Sequence, residues 1–283
     1  MTPTSPASPQ ELAIAHVTAL AQGAPVDGSL RVTINFHPDR LVAGHPILEL
    51  MARDGFYRSQ FETGTSNGAL TAHPGGSRWL WESRIFGGAY DHAPSSERPK
   101  YGALNFRRRR HGASARFGSA HLRLRPEALG RTTFCHPDSY YEPANFGVAA
   151  RGSALLALAA ATPAEDPLDD YVEAQVHGRL ELARDVEALV LDVCYRDTEV
   201  ERAAGALGCP VEWHPGFRLC TEELERHPDY RGPEYVALGL ALARDGWLDP
   251  RSIGDAARTG QHDEQALKRL WHYVARFGAR EPH

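Results

Sequence analysis

Residues 171–177 read Tyr-Val-Glu-Ala-Gln-Val-His, and at the two-residue period of a strand they separate into two rows. Val172, Ala174 and Val176 make one row; Tyr171, Glu173, Gln175 and His177 make the other. A carboxylate, an amide and an imidazole side by side, just ahead of the apolar run "EALVLDV", are costly to fold unless something uses them. One polar face is ordinary in a solvated antiparallel sheet. Here, however, a second run repeats the pattern. In "LRVTINFHPDR" Val32, Ile34 and Phe36 alternate with Thr33, Asn35 and His37; Pro38 ends the strand and Arg40 follows. Residues 56–99 lie between these runs, rich in Gly, Ser and Trp and poor in periodicity, a composition of functional loops.

Two further clusters could carry chemistry. His-x-Asp pairs occur at His37/Asp39 and His136/Asp138, and with His177 they offer imidazole and carboxylate donors for a divalent metal in a hydrolase. The prolines between the paired residues favour turns instead, with Asp39, Asp138 and Asp229 capping them. The run Arg107, Arg108, Arg109, Arg110 falls between "YGALNF" and "SARFGSAHLRL", which reads as a hairpin with a basic tip. Such a tip can contact phosphates of RNA or DNA, or an acidic protein surface, in a non-catalytic binding module.

The elements that must position these groups follow from periodicity. "PQELAIAHVTALAQ" has helical apolar spacing, "HPILELMARDG" a short helix, "RTTFCH" a strand and "SALLALAAAT" a helix. After about residue 197 the pattern becomes helical in "TEVERAAGAL", "EYVALGLALARDG" and "DEQALKRLWHYVARFG", with "CPVEWHPGF" a short strand or turn. Trp213, Trp247 and Trp271 read as core anchors, and His214 and His272 as histidines bonded to nearby backbone. The expected organisation is a short disordered tail over 1–10, an α+β domain over 11–196 and a helical extension over 197–283 packed on it. No Gly-rich dinucleotide fingerprint follows a strand and no phosphate loop ends in Gly-Lys-Ser/Thr, which argues against ordinary dehydrogenases and nucleoside triphosphatases.

One ordering of pieces resembles a known family. "INFHPDR", then "ILELMARDGF", the Ser/Thr-rich "FETGTSNG", aromatic loops, and finally "YVEAQVHG" with "DVEALVLD" are similar to the ADP-ribosyltransferase fold. That resemblance implies a split pair of sheets that holds NAD as substrate, with the last strand's acid beside the ribose. Members of that family carry Glu-x-Glu or Gln-x-Glu there; this chain has Glu-x-Gln, so Glu173 is the motif's acid. Carried onto these residues, Glu173 stabilises the ribose cation, and Gln175 and His177 hold ribose hydroxyls or the acceptor. His37 or Arg40 binds the adenosine ribose or diphosphate, Thr65 and Ser66 position the late strand, and Tyr90 or Tyr101 stacks on nicotinamide. The products are nicotinamide and an ADP-ribosylated acceptor, which is a protein, nucleic acid or small molecule, and no metal is expected. From "VTINFHPDR" through "YGALN", "EAQVHG" and "EWHPGF" to "LWHYVARFG", the whole chain also resembles an uncharacterised bacterial family known as a domain of unknown function.

Composition narrows the setting. The net charge of −5 gives no global attraction to nucleic acid or anionic membranes, and no apolar run reaches the roughly 18 residues of a membrane span. The start "MTPTSPASPQELA" lacks the regions of a signal peptide. Cys135, Cys194, Cys209 and Cys220 show none of the close pairing of a zinc or redox motif, as expected of buried thiols in a reducing compartment. Cytoplasm is the expected location; secretion without a signal peptide leaves the same trace. Fourteen histidines exceed expectation and point to site chemistry.

Overall fold

A computed structural model describes residues 7–64 and 71–278. The chain is mixed α+β. Its main sheet contains Val32–Phe36 (β1), Lys100–Leu104 (β2), Ala120–Leu124 (β3), Thr132–His136 (β4), Asn145–Val148 (β5), Val172–Val176 (β6), Val186–Asp192 (β7) and Val211–His214 (β8). Their spatial order is β8-β7-β3-β1-β2-β6-β4-β5, antiparallel except for the parallel β7–β8 pair. Eight strands therefore pair in one continuous sheet, with three two-stranded ribbons outside it, instead of the two separate sheets the resemblance implied.

β1 forms where β-branched residues follow one another, as in Val32-Thr33-Ile34, because such side chains pack well on a pleated surface. Register decides which way their polar rows point. Thr33 pairs with Ala103, and Ala103 with Glu173, so the polar rows of β1 and β6 share one face of the sheet. The opposite face carries Val32, Ile34, Phe36, Val172, Ala174 and Val176. It packs against Leu48 and Met51 of helix Ile47–Asp54, and against Leu155 and Ala159 of helix Ser153–Ala161.

The polar face is covered by two unrelated groups. At the β4–β5 end lie Pro9–Leu20 (α1) and Ser77–Ile85, with Ala13, Val17, Trp81, Phe86 and Tyr90 in one apolar cluster beside Cys135. A Ser8–Glu11 capping box starts α1 inside the stretch expected to be tail. Near β1 lie Pro233–Leu242, Pro250–Arg258 and Glu264–Phe277, with a separate core around Leu224, Leu248, Leu270 and Trp271. Trp271 donates its indole N–H to the Ala115 carbonyl at 2.9 Å. Asp166 ties the two parts together by accepting from Tyr230, Arg231 and Arg276 at 2.7–3.0 Å. The helical stretch also supplies β8 to the main sheet, so the boundary near residue 197 separates helices from sheet only in part.

The basic hairpin is corrected by pairing. β2 and β3 do not touch; β1 lies between them. The four arginines sit on a crossover loop, where Arg107 and Arg109 hold Asp170 and Arg108 bonds Asp27 and Ser29. That loop lies flat on β1, its Asn35 side chain bonding the His111 and Gly118 carbonyls. Gly118, at φ +152°, permits this approach, since a Cβ there would sit 2.0 Å from the Phe36 carbonyl carbon. Among the described residues no helix is long and apolar enough to cross a membrane.

Candidate active site

Between the two groups that cover the polar face lies a cavity of about 800 Å³. His37 and Arg40 past the end of β1, Tyr101 on β2 and Glu173 on β6 all line it. These four expected site residues thus come together across three neighbouring strands. Tyr90, Gln175 and His177 do not line it; they lie behind its wall, each fully buried. Thr65 and Ser66 lie outside the described residues, and the segment before them contributes Glu62 and Thr63 to the lining.

The row on β6 is a directed network. Thr133 donates its one hydroxyl proton to Gln175 Oε1 at 2.8 Å. His177 Nε2 lies 2.9 Å from the Thr133 hydroxyl oxygen, whose proton is already given to Gln175, and must therefore be the donor there. Its Nδ1 then accepts from the Tyr90 hydroxyl at 2.7 Å. Gln175 in turn donates its amide to Glu173 Oε1 at 3.0 Å. Donation runs one way, Tyr90 to His177 to Thr133 to Gln175 to Glu173, and each bond polarises the next. His177 remains neutral in this role. Burial, with Arg131 and Lys100 nearby, pushes its imidazole down to about 3. It also stacks parallel to the Tyr90 ring and edge-on to Phe86.

A second chain reaches Glu173 from the other side. Arg78 donates to Ser139 Oγ at 2.7 Å, and Ser139 Oγ donates to Glu173 Oε2 at 2.8 Å. Ser139 opens a short 3₁₀ turn, Ser139–Tyr141, whose cap Asp138 accepts from the Tyr140 amide and the Tyr171 hydroxyl. Capping by Asp138 agrees with the sequence expectation. Burial raises the Glu173 carboxyl above its ordinary range; Arg78 opposes that shift and Asp138 adds to it. The result is a poised acid whose two oxygens are each held by a donor while the residue borders the cavity.

The remaining walls differ in chemistry. Arg78 lies 4.0 Å over the Tyr101 ring, so one face of that ring is already covered, and the Tyr101 hydroxyl donates to Glu82 at 2.7 Å. Two exposed aromatics, Tyr140 and Tyr141, stand at the lining beside Ser139. His37 packs edge-on to Trp271 at 5.0 Å, and burial, then Arg40 and Lys268, lowers its imidazole to about 4. Arg116, Arg231, Lys268 and Arg269 give the opposite wall a positive character. Sequence reasoning missed this wall, along with Arg78 and Ser139; its one signal was Lys268, Arg269 and His272 at spacings that share a helical face.

The metal-site reading finds no such gathering. Asp39 is buried beneath Pro250–Arg258, where a Cβ on Gly254 would lie 1.6 Å from its Oδ2. His136 bonds the Tyr171 carbonyl, and His177 belongs to the network behind Glu173. Among the described residues no group of three or more His, Cys, Asp or Glu is placed to hold a metal ion. His214 bonds backbone as expected, at the Ser119 carbonyl and the Gly216 amide. His272 does not: among the described residues neither ring nitrogen has a partner. Its helix places it among the residues that line the cavity.

No curated protein matches this chain. The family model described as "Protein of unknown function (DUF3626)" matches residues 31–162 and 149–277. Those spans carry β1, β6, the network behind Glu173 and the helix of His272, and the chain belongs to that family.

Proposed function

We propose that the cavity binds NAD and that the protein transfers ADP-ribose to an acceptor, releasing nicotinamide. One observation carries this reading: Glu173, held by donors at both oxygens, shares a cavity with His37 and Arg40 across the single intervening strand β2. In the reaction the bond between the nicotinamide nitrogen and ribose C1′ breaks, and its electron pair leaves with nicotinamide. The sugar becomes cation-like, as in glycoside hydrolysis. Ionised Glu173 stabilises that charge from a fixed position, so little reorganisation is needed as the charge develops. An acceptor nucleophile then supplies the electron pair for the new bond to C1′.

The other groups fall into roles around that step. Gln175 and His177 act on Glu173 and not on the ribose, by orienting its carboxylate. Arg40 and the neutral His37 bind the adenosine half, and Tyr140 or Tyr141 packs on the nicotinamide end. The acceptor is a macromolecule or small molecule that enters from the open side. The experiment is incubation with NAD labelled on the ADP-ribose half, together with lysate, scoring nicotinamide release and label transfer. The reading fails if the wild type releases no nicotinamide, or if a folded Glu173→Gln protein releases it at the wild-type rate.

A further inference from the structure

Helix Glu264–Phe277 turns one face to the cavity: Gln265, Lys268, Arg269 and His272 all line it. Their spacings of three and four residues make them neighbours on the helix surface. Two further cations stand near, each already engaged by a carboxylate: Arg116 by Asp169, and Arg231 by Asp166 at 2.7 Å. Lys268 and Arg269 differ, since among the described residues neither meets an acid or another hydrogen-bond partner. Lys268 is half-buried all the same. Burial, then Arg116, Arg269 and Arg40, lowers its ammonium below the usual lysine range.

His272 makes the deficit specific. It is 3% exposed, and among the described residues both ring nitrogens lack a hydrogen-bond partner. Burial, then Arg116, Arg231, Lys268 and Arg269, pushes its imidazole down to about 2, so the ring is neutral, with one N–H donor and one acceptor. A buried polar group without a partner is rare in a folded protein and calls for an explanation. The half-buried Lys268 ammonium, without an acid beside it, is unfavourable as well, while Arg269 stands exposed next to it. One addition relieves both, an anion rich in acceptor oxygens with a hydroxyl beside it. A carboxylate offers two oxygens in one plane, whereas a phosphoryl group presents three to donors converging from different directions. Lysine supplies a point charge, arginine a fork and histidine a single N–H, a set that suits the latter.

We infer that Lys268, Arg269 and His272 form a phosphate-recognition subsite, which takes a phosphoryl or diphosphoryl group of a ligand whose other end lies at Glu173. This rests on the cavity being a ligand site; it requires neither that the ligand be NAD nor that transfer occur. The ligand is thus a phosphorylated sugar or nucleotide, read at its charged end by the helical part of the chain.

The test titrates the full chain with inorganic pyrophosphate by calorimetry, for the wild type, Lys268→Ala/Arg269→Ala and the charge-conserving Lys268→Arg. In parallel, the ring ¹⁵N resonances of His272 are followed. The double variant should bind pyrophosphate roughly tenfold more weakly or worse, Lys268→Arg should retain most of the affinity, and the His272 resonances should move on titration. Equal affinity in the wild type and the double variant, no binding by the wild type, or unmoved His272 resonances would each overturn the subsite. Pyrophosphate binding that depends on these residues, in a protein that never releases nicotinamide, sinks the transferase reading and leaves the subsite standing. Nicotinamide release together with equal pyrophosphate affinity in the wild type and the double variant does the reverse.

Discussion

The two ends of the polar row on β6 obey one alternation and meet different surroundings. At one end Glu173 borders a cavity and is held by Ser139 and Gln175. At the other, His177 is packed by Phe86 and Tyr90, fully buried and outside the lining of that cavity. The difference lies in what packs on top. α1 and Ser77–Ile85 close over the His177 end with apolar side chains. Over Glu173 the covering elements part, and the gap is lined by polar and charged groups. A polar row in a sheet is therefore not one site: its closed end sets the geometry of its open end.

Four measurements break or sharpen that contrast. The largest effect belongs to the open end: Glu173→Gln should lower nicotinamide release by roughly 10²–10³-fold, the scale of losing one electrostatic stabiliser. Its stability should fall only modestly, by about 1–3 kcal/mol, because the amide oxygen still accepts from Ser139 while the amide nitrogen faces the Gln175 donor. A melting temperature that collapses would make Glu173 a structural residue and erase the contrast.

At the closed end the balance reverses. His177→Ala leaves a void, strands the Tyr90 hydroxyl and removes the donor to Thr133, and should cost about 2–4 kcal/mol in urea unfolding. The protein that remains folded should lose turnover by much less than Glu173→Gln does. Loss of turnover as severe as in Glu173→Gln, without loss of stability, would place His177 in the reaction itself.

pH separates the ends by sign. His177 has a folded pKa below its unfolded value near 6.5, so the unfolded chain binds the extra proton between 6.5 and about 3. The stability it contributes is present above pH 6.5 and is lost as pH falls toward 3. Glu173 shifts the other way: its raised folded pKa favours the folded state while it is protonated, and stability declines as pH rises from 4.5 through that folded value. Activity has the opposite trend there, since nicotinamide release should increase as Glu173 ionises. His177→Leu should shallow the acid limb of stability without abolishing it, because His37 and His111 are also lowered by burial. Urea midpoints at pH 4.5 and 7, beside a pH–rate profile, read both ends at once. An acid limb of the same depth in His177→Leu and wild type would remove the closed end from the account.

The smallest effect lies far from both ends. Arg108 and Asp27 are more than half exposed, and Arg108→Ala should change stability by less than about 0.5 kcal/mol. Arg107→Ala should cost more, because its partner Asp170 is only 10% exposed. Equal losses in the two variants would show that burial of the acid does not matter on this loop.

Much of the frame was legible in residue patterns. The alternations in 32–37 and 171–177 named two strands with polar faces, and the helical spacings of 9–20, 233–242 and 264–277 reappear as helices. Of the expected site residues, His37, Arg40, Tyr101 and Glu173 meet at one cavity, while Tyr90, Gln175 and His177 serve behind it. The arginine run looked like a solvent-facing tip because a one-dimensional reading pairs β2 with β3. Inserting β1 between them turns that tip into a loop tied to Asp170 and Asp27. His272 reads in sequence as an ordinary helical histidine; that its nitrogens go unpaired depends on which wall its helix presents.

Alternation by itself determined that Glu173, Gln175 and His177 share a side of a strand, and that Thr33, Asn35 and His37 share a side of another, since side-chain direction in a strand is local geometry. Whether those two sides are the same side, which end of each row is left uncovered, and which cations stand opposite were decided by tertiary structure alone. Strand order and helix docking are set by burial of apolar surface between segments distant along the chain, and no short window of residues contains that information.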